Sequence, residues 1–208
     1  MNLPNKLTIA RIVLIPIYMI FAFPYPTNWS WFHGGDFMNH YGPYAALFLF
    51  IVASVTDLLD GKIARKYGLV TDFGKFLDPI ADKLLVTAAL LSLIRYSKFY
   101  LWATMIILAR EFIVTGIRLI AASKNKVIAA GKLGKIKTVV QMIAIIELQC
   151  AFIIRDVWPE YRHWDWAYDI GQFMSLIGWA LMAIAVIFTI VSGVEYVKKN
   201  SKYFTETM

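Results

Sequence analysis

Four aspartates, Asp57, Asp60, Asp78 and Asp82, fall within one 26-residue stretch, DLLDGKIARKYGLVTDFGKFLDPIAD, whose flanks are strongly apolar. A carboxylate in a lipid-embedded helix is costly, so it normally faces a polar interior and has a partner. Asp57 and Asp60 are three apart and Asp78 and Asp82 four apart, so on helices each pair shares a face. Two successive antiparallel helices would present all four to one point. Carboxylate oxygens are hard ligands suited to Mg²⁺ or Mn²⁺. His33, His40 and His163 fall in predicted outer loops, away from the aspartates, so a zinc site is not expected. Gly61 and Gly74 lie on or beside the acidic faces, where a missing side chain lets a ligand approach the backbone. Arg65 brings a planar fork that matches phosphate. Together these residues point to a diphosphate substrate. The competing account is an ion-pair network with Lys62, Arg65, Lys75 and Lys83, which suits two isolated aspartates better than four at this spacing.

A second constellation follows in LAREFIVTGIRLIAASKNK. Arg110 and Arg118 are eight apart and lie on nearly the same helix face. Arginines within a span are costly unless paired, and Glu111 is adjacent. Lys135 and Lys137 stand near the start of the next apolar segment. Four basic residues converging beside a cation site would suit an acceptor that carries its own phosphate. Plain anchoring at the basic side of a membrane is the alternative, and it explains Lys124, Lys126 and Lys132 better than the intramembrane arginines.

The elements that must position these residues are apolar helices. The chain has 208 residues, 59% of them hydrophobic, and a mean hydropathy of +0.59. Soluble domains run nearer half apolar. Six apolar segments, at about 7–23, 43–64, 76–95, 99–122, 136–154 and 172–197, are each near the ~20 residues a helix needs to cross hydrocarbon. The fold class expected is therefore an all-α integral membrane protein, a six-transmembrane-helix bundle forming a single domain over residues 1–208. The amphipathic, basic MNLPNKLTIAR is expected to lie along the interface before the first span. Asn5 or Thr8 would serve there as a helix cap. Ile12–Phe23, after Lys6 and Arg11, superficially resembles a secretory signal, but no small-x-small cleavage site follows.

Basic residues cluster at the N-terminus, in the connections 65–75 and 123–135, and in the tail. An even number of spans puts all four on one side, which the positive-inside rule makes cytoplasmic. Both termini and the aspartates would then be cytoplasmic. The net charge of +7 points in this setting to orientation and anionic lipid, not to nucleic acid. The single Cys150 cannot form an internal disulfide.

Asp57-x2-Asp60-Gly61-x2-Ala64-Arg65-x8-Gly74-x3-Asp78-x3-Asp82 resembles the signature of the CDP-alcohol phosphotransferase family, with all eight motif residues at the family's spacing. The resemblance implies a six-helix membrane domain that moves a substituted phosphate from a CDP-activated donor to an alcohol and releases CMP. It implies a two-metal centre on Asp57, Asp60, Asp78 and Asp82, with two Mg²⁺ or Mn²⁺ ions, and Asp82 as general base. It assigns Gly61, Arg65 and Gly74 to the nucleotide, with Asn5 and Thr8 of the PNKLT stretch beside it. REFIVTGIR followed by GKLGKIKT is similar to bacterial members that use glycerol 3-phosphate, although members that use inositol phosphate also need basic residues here. CDP-diacylglycerol and sn-glycerol 3-phosphate are thus the expected substrates. Arg110, Arg118, Lys135 and Lys137 would hold the acceptor phosphate, and a bacterial cell membrane homodimer is expected. Serine or phosphatidylglycerol as acceptor would use the same chemistry. A membrane prenyltransferase would have its aspartate motifs farther apart, and an ion transporter would show an inverted repeat.

Overall fold

A computed structural model describes residues 3–25, 35–67, 72–123, 132–157 and 165–200. Six α-helices follow one another: α1 Leu3–Ala22, α2 Gly35–Tyr67, α3 Asp72–Leu93, α4 Lys98–Ser123, α5 Lys132–Phe152 and α6 Asp165–Lys199. A five-residue π-helical turn, Ile153–Val157, continues α5. Among the described residues there is no strand.

Contacts between side chains fix the directions. Arg11 of α1 meets Asp57 of α2, while Tyr25, just past α1, exchanges hydrogen bonds of 2.7 and 2.8 Å with Asn39 near the start of α2. These two helices are therefore antiparallel. Thr8 bonds Asp78 and Tyr18 bonds Ser92, so α1 and α3 run parallel. Arg155 backs onto Gly171, and Glu147 and Leu148 onto Gly178, so α5 and α6 are antiparallel. The start of α1, the end of α2, the start of α3, the end of α4, the start of α5 and the end of α6 consequently share one end of the bundle.

Apolar surface lies both inside and outside. Phe50, Leu90, Leu93, Ile107, Ile145, Leu148 and Met182 are buried in one core, whereas Phe48, Trp102, Phe112, Leu119 and Phe173 are exposed. Large exposed apolar faces mark surface meant for lipid or a partner. Among the described residues, three helical stretches, Asn5–Ala22, Leu133–Val157 and Trp166–Lys199, are long and apolar enough to cross a membrane. The charges of α2, α3 and α4 set those helices apart.

A small polar cluster ties three helices inside the core. The Tyr18 hydroxyl lies 3.1 Å from Ser92 Oγ, and Gln149 Nε2 donates to it at 3.3 Å. Gly178 of α6 leaves room for side chains of α5. A Cβ there would stand 1.9 Å from Glu147 Oε2 and 2.5 Å from Leu148 Cδ2. Neither Glu147 oxygen has a hydrogen-bond partner among the described residues.

Three expectations are corrected. The N-terminal stretch is not a separate interfacial segment. From Leu3 it is continuous with α1, and its Asn5, Thr8 and Arg11 are buried in the bundle. No helix breaker separates it from the apolar run, and its polar side chains find carboxylates inside. Residues 35–42, taken as loop, form the first turns of α2, so His40 is helical and packs against Tyr41. Asp36 in that first turn complements the helix dipole. Similarly, α6 starts at Asp165, well before residue 172.

Candidate active site

The charged residues gather at the shared end. Helix α1 presents Thr8, Arg11, Ile15 and Tyr18 at i, i+3, i+7 and i+10, and all four are buried, as expected for one helical face. Thr8 Oγ1 donates to Asp78 Oδ1 at 2.6 Å. Arg11 Nη1 lies 2.7 Å from Asp57 Oδ1. One face of α1 therefore touches an aspartate from each of the two acidic helices. Asn5, one turn earlier, is buried at the same end, and so is Gly74 in the first turn of α3.

Asp57 lies within electrostatic reach of Asp78 and Asp82, so the structure gathers three of the four predicted carboxylates. Helix α2 runs through Asp60, Gly61 and Arg65, but the side-chain positions at these three lie outside the described residues. Among the described residues no three such side chains already form a closed metal cage. The donor set nevertheless fits a hard divalent cation. It is all oxygen, and Asp57 already draws a buried cation, the Arg11 guanidinium, to the same place.

Asp82 joins this group to the basic one. It is within electrostatic reach of Arg11 on one side and of Lys83, Glu111 and Lys137 on the other. Lys137, 2% exposed, pairs with Glu111 Oε1. Arg110 Nη1 reaches the same oxygen at 3.0 Å. Two cations thus share one carboxylate, which leaves a surplus of positive charge. Arg110 Nη2 also donates to Ser192 Oγ at 3.2 Å, and it stands 3.3 Å from where a Cβ at Gly134 would be. The small residue at position 134 lets the start of α5 close over the arginine. Lys83 donates to Thr115 across α3 and α4.

Arg110 and Lys137 are therefore brought together as expected, whereas Arg118 and Lys135 stand apart from them. Arg118 donates from Nε to the Tyr196 hydroxyl at 3.3 Å, two turns beyond Arg110. Lys135 is exposed, and two residues of separation turn it to the other side of α5 from Lys137.

Sequence reasoning missed Arg11 and did not give Glu111 and Lys83 a part in the site. The available signal for Arg11 was an arginine inside an apolar run, three residues after Thr8, which requires a buried partner. Glu111 was noted only as a neighbour of Arg110. Its bond to Lys137, 26 positions away, is a tertiary contact that spacing does not reveal.

A helical membrane-type bundle with carboxylates and buried cations gathered at one end defines a class, and comparison with known proteins specifies it. The profile of the CDP-alcohol phosphatidyltransferase family matches residues 1–191, and the chain belongs to that family. A Bacillus subtilis relative named CDP-diacylglycerol–glycerol-3-phosphate 3-phosphatidyltransferase is 46% identical over 199 residues, covering 96% of this chain and 95% of the relative. A Rickettsia bellii relative of the same name is 38% identical over 98% of this chain and 97% of its own length. A Mycobacterium tuberculosis relative named as a probable phosphatidylglycerophosphate synthase is 34% identical over 95% of this chain and 81% of its own.

Proposed function

We propose that this protein transfers the phosphatidyl group of CDP-diacylglycerol to sn-glycerol 3-phosphate, giving phosphatidylglycerol phosphate and CMP. The observation that carries the proposal is the position of Asp82, within reach of both the aspartate–Arg11 group and the Lys83–Glu111–Lys137 group. A transferase needs such a junction, because the attacking hydroxyl and the phosphate that anchors its molecule lie on the same small acceptor. The names of the relatives support the choice of donor and acceptor.

In this reading Asp82 accepts the proton of the acceptor's 1-hydroxyl as its oxygen bonds to the lipid-attached phosphorus. The bond from that phosphorus to the CMP oxygen breaks, and CMP departs with the electron pair. Asp57, Asp60, Asp78 and Asp82 would hold two divalent cations, Mg²⁺ or Mn²⁺, whose chemistry is to neutralise the diphosphate and the leaving group. Arg11 holds Asp57 and Thr8 holds Asp78, so α1 fixes the direction of both carboxylates. Asn5, Thr8, Gly61, Arg65 and Gly74 meet the nucleotide. Arg110 and Lys137 meet the acceptor phosphate.

The six helices form one domain and span the membrane of a bacterial cell, with the aspartate end and both termini cytoplasmic and a second copy completing a homodimer. The charges that keep α2, α3 and α4 from reading as plain apolar spans support the sidedness, because those that line the site sit at the end where nucleotide and acceptor arrive; the homodimer rests on the family resemblance alone. The test is CMP release from CDP-diacylglycerol and Mg²⁺ by purified protein, with glycerol 3-phosphate, inositol 1-phosphate, serine and phosphatidylglycerol offered separately. Release with glycerol 3-phosphate alone, lost on chelation, is expected. Release with another acceptor alone would overturn the assignment of Arg110 and Lys137.

A further inference from the structure

The opposite end of the bundle holds a cavity of about 480 Å³ that the transfer reaction does not use. It lies between the α3–α4 turn, the π-helical turn and the first turns of α6. Tyr96, Tyr100, Phe152, Arg155, Asp169 and Trp179 line it. Irregular π-helical turns inside α-helices recur at functional sites, and here the turn carries Arg155.

Arg155 is built in from several sides. Gly171 lets α6 press on its backbone, since a Cβ there would stand 2.5 Å from the Arg155 nitrogen. Asp156 accepts from Nε at 2.6 Å and from Nη2 at 2.9 Å. The guanidinium carbon sits 4.9 Å from the Phe152 ring centroid and 5.8 Å from that of Tyr96. Those two rings are stacked, 3.5 Å apart between centroids. The Nη1 edge is left for a ligand. Asp169, which also lines the cavity, makes no hydrogen bond or ion pair among the described residues.

One clamped cation, one unpaired carboxylate and several aromatic faces match a zwitterion. Guanidinium edges bind phosphate through charge-assisted hydrogen bonds, and carboxylates with aromatic faces hold ammonium groups. The place also suits a lipid, because aromatic side chains concentrate where a membrane meets water. We propose that this cavity binds the headgroup of a zwitterionic phospholipid of the leaflet opposite the active site, its phosphate on Arg155 and its ammonium on Asp169 and the aromatic wall. The inference rests on the reading that the bundle spans a bilayer, and is independent of the transfer chemistry.

The test is native mass spectrometry of the delipidated full-length protein with phosphatidylethanolamine or phosphatidylglycerol of matched chains, and with phosphoethanolamine as the headgroup alone. Phosphatidylethanolamine is expected to be retained over phosphatidylglycerol by roughly threefold to tenfold, from one exposed ion pair and one cation–π contact. Asp169→Asn should erase that preference and Arg155→Gln should lower retention of both lipids. Thermal midpoints report folding. If Arg155→Gln does not fold, the exposed Asp169→Asn carries the decision alone. Equal retention of the two lipids by the unaltered protein, or a preference that survives Asp169→Asn, would overturn the proposal. So would Arg155-dependent binding of phosphoethanolamine as strong as that of the lipid, which would make the ligand a soluble one. CMP release measured on the same samples separates the two readings, since its absence would count against the transferase and leave the lipid preference to be read by itself.

Discussion

At the scale of single residues, the site is a charge arrangement in which every buried ion has a named neighbour. Arg11 is 1% exposed and faces Asp57; Lys137 is 2% exposed and faces Glu111. Removing one member of such a pair leaves the other charge without compensation. Lys137 also differs from a plain structural cation, because Glu111 is shared with Arg110 and cannot neutralise both. Replacing it by methionine should therefore raise KM for glycerol 3-phosphate by roughly tenfold or more, the worth of a charged hydrogen bond, with KM for CDP-diacylglycerol nearly unchanged. Steady-state kinetics with each substrate varied in turn measures the difference, and equal rises in both constants would remove Lys137 from the acceptor site. Glu111→Gln should also act mainly on the acceptor constant, because it frees the cations it now orients. The aspartate window was legible at this scale since intramembrane carboxylates are rare and their spacing is helical. Arg11 was not, because an arginine near a basic N-terminus looks like membrane anchoring until its helix is seen to be buried.

At the scale of helices, α1 is the element that aligns the acidic face. Its Thr8 and Arg11 touch α3 and α2, and its Tyr18 is tied to Ser92 and Gln149 further along. The helix types and their order were legible from the apolar runs. Their ends were not, because α2 and α6 extend through polar residues that hydropathy assigns to loops, where acidic first turns such as that of Asp36 favour helix. The close packing of α5 on α6 was likewise hidden, since a glycine in an apolar run does not announce which neighbour it admits. Gly178→Leu should force those helices apart and destabilise the protein by about 1–3 kcal/mol, the range for overpacking. A lowered thermal midpoint in detergent would show it. An unchanged midpoint would mean that Glu147 and Leu148 move aside freely.

At the scale of the whole molecule, the shared end of the bundle sets up two chemically different poles. One pole holds the carboxylates and the Arg110–Lys137 cations; the other holds aromatic rings and Arg155. In the proposed orientation, the first pole faces the cytoplasm, as the positive-inside rule places a basic excess. Cysteines introduced at Ser201 and at Asn28, in a Cys150→Ser background, give the prediction a direct readout. A membrane-impermeant thiol reagent added to intact cells should label position 28 and spare position 201 until the membrane is opened. Labelling of both, or of position 201 alone, would contradict the proposed six-span arrangement.

The most direct measurement follows radiolabelled glycerol 3-phosphate into lipid, using purified protein, CDP-diacylglycerol and Mg²⁺, for the unaltered chain and for Asp82→Asn. The unaltered protein should move label into phosphatidylglycerol phosphate with one CMP released per lipid formed. The Asp82→Asn protein should stay folded and lose roughly a hundredfold or more of that rate, as expected when a positioned proton acceptor is removed. Full incorporation by Asp82→Asn, or CMP release by the unaltered protein without labelled lipid, would contradict the account.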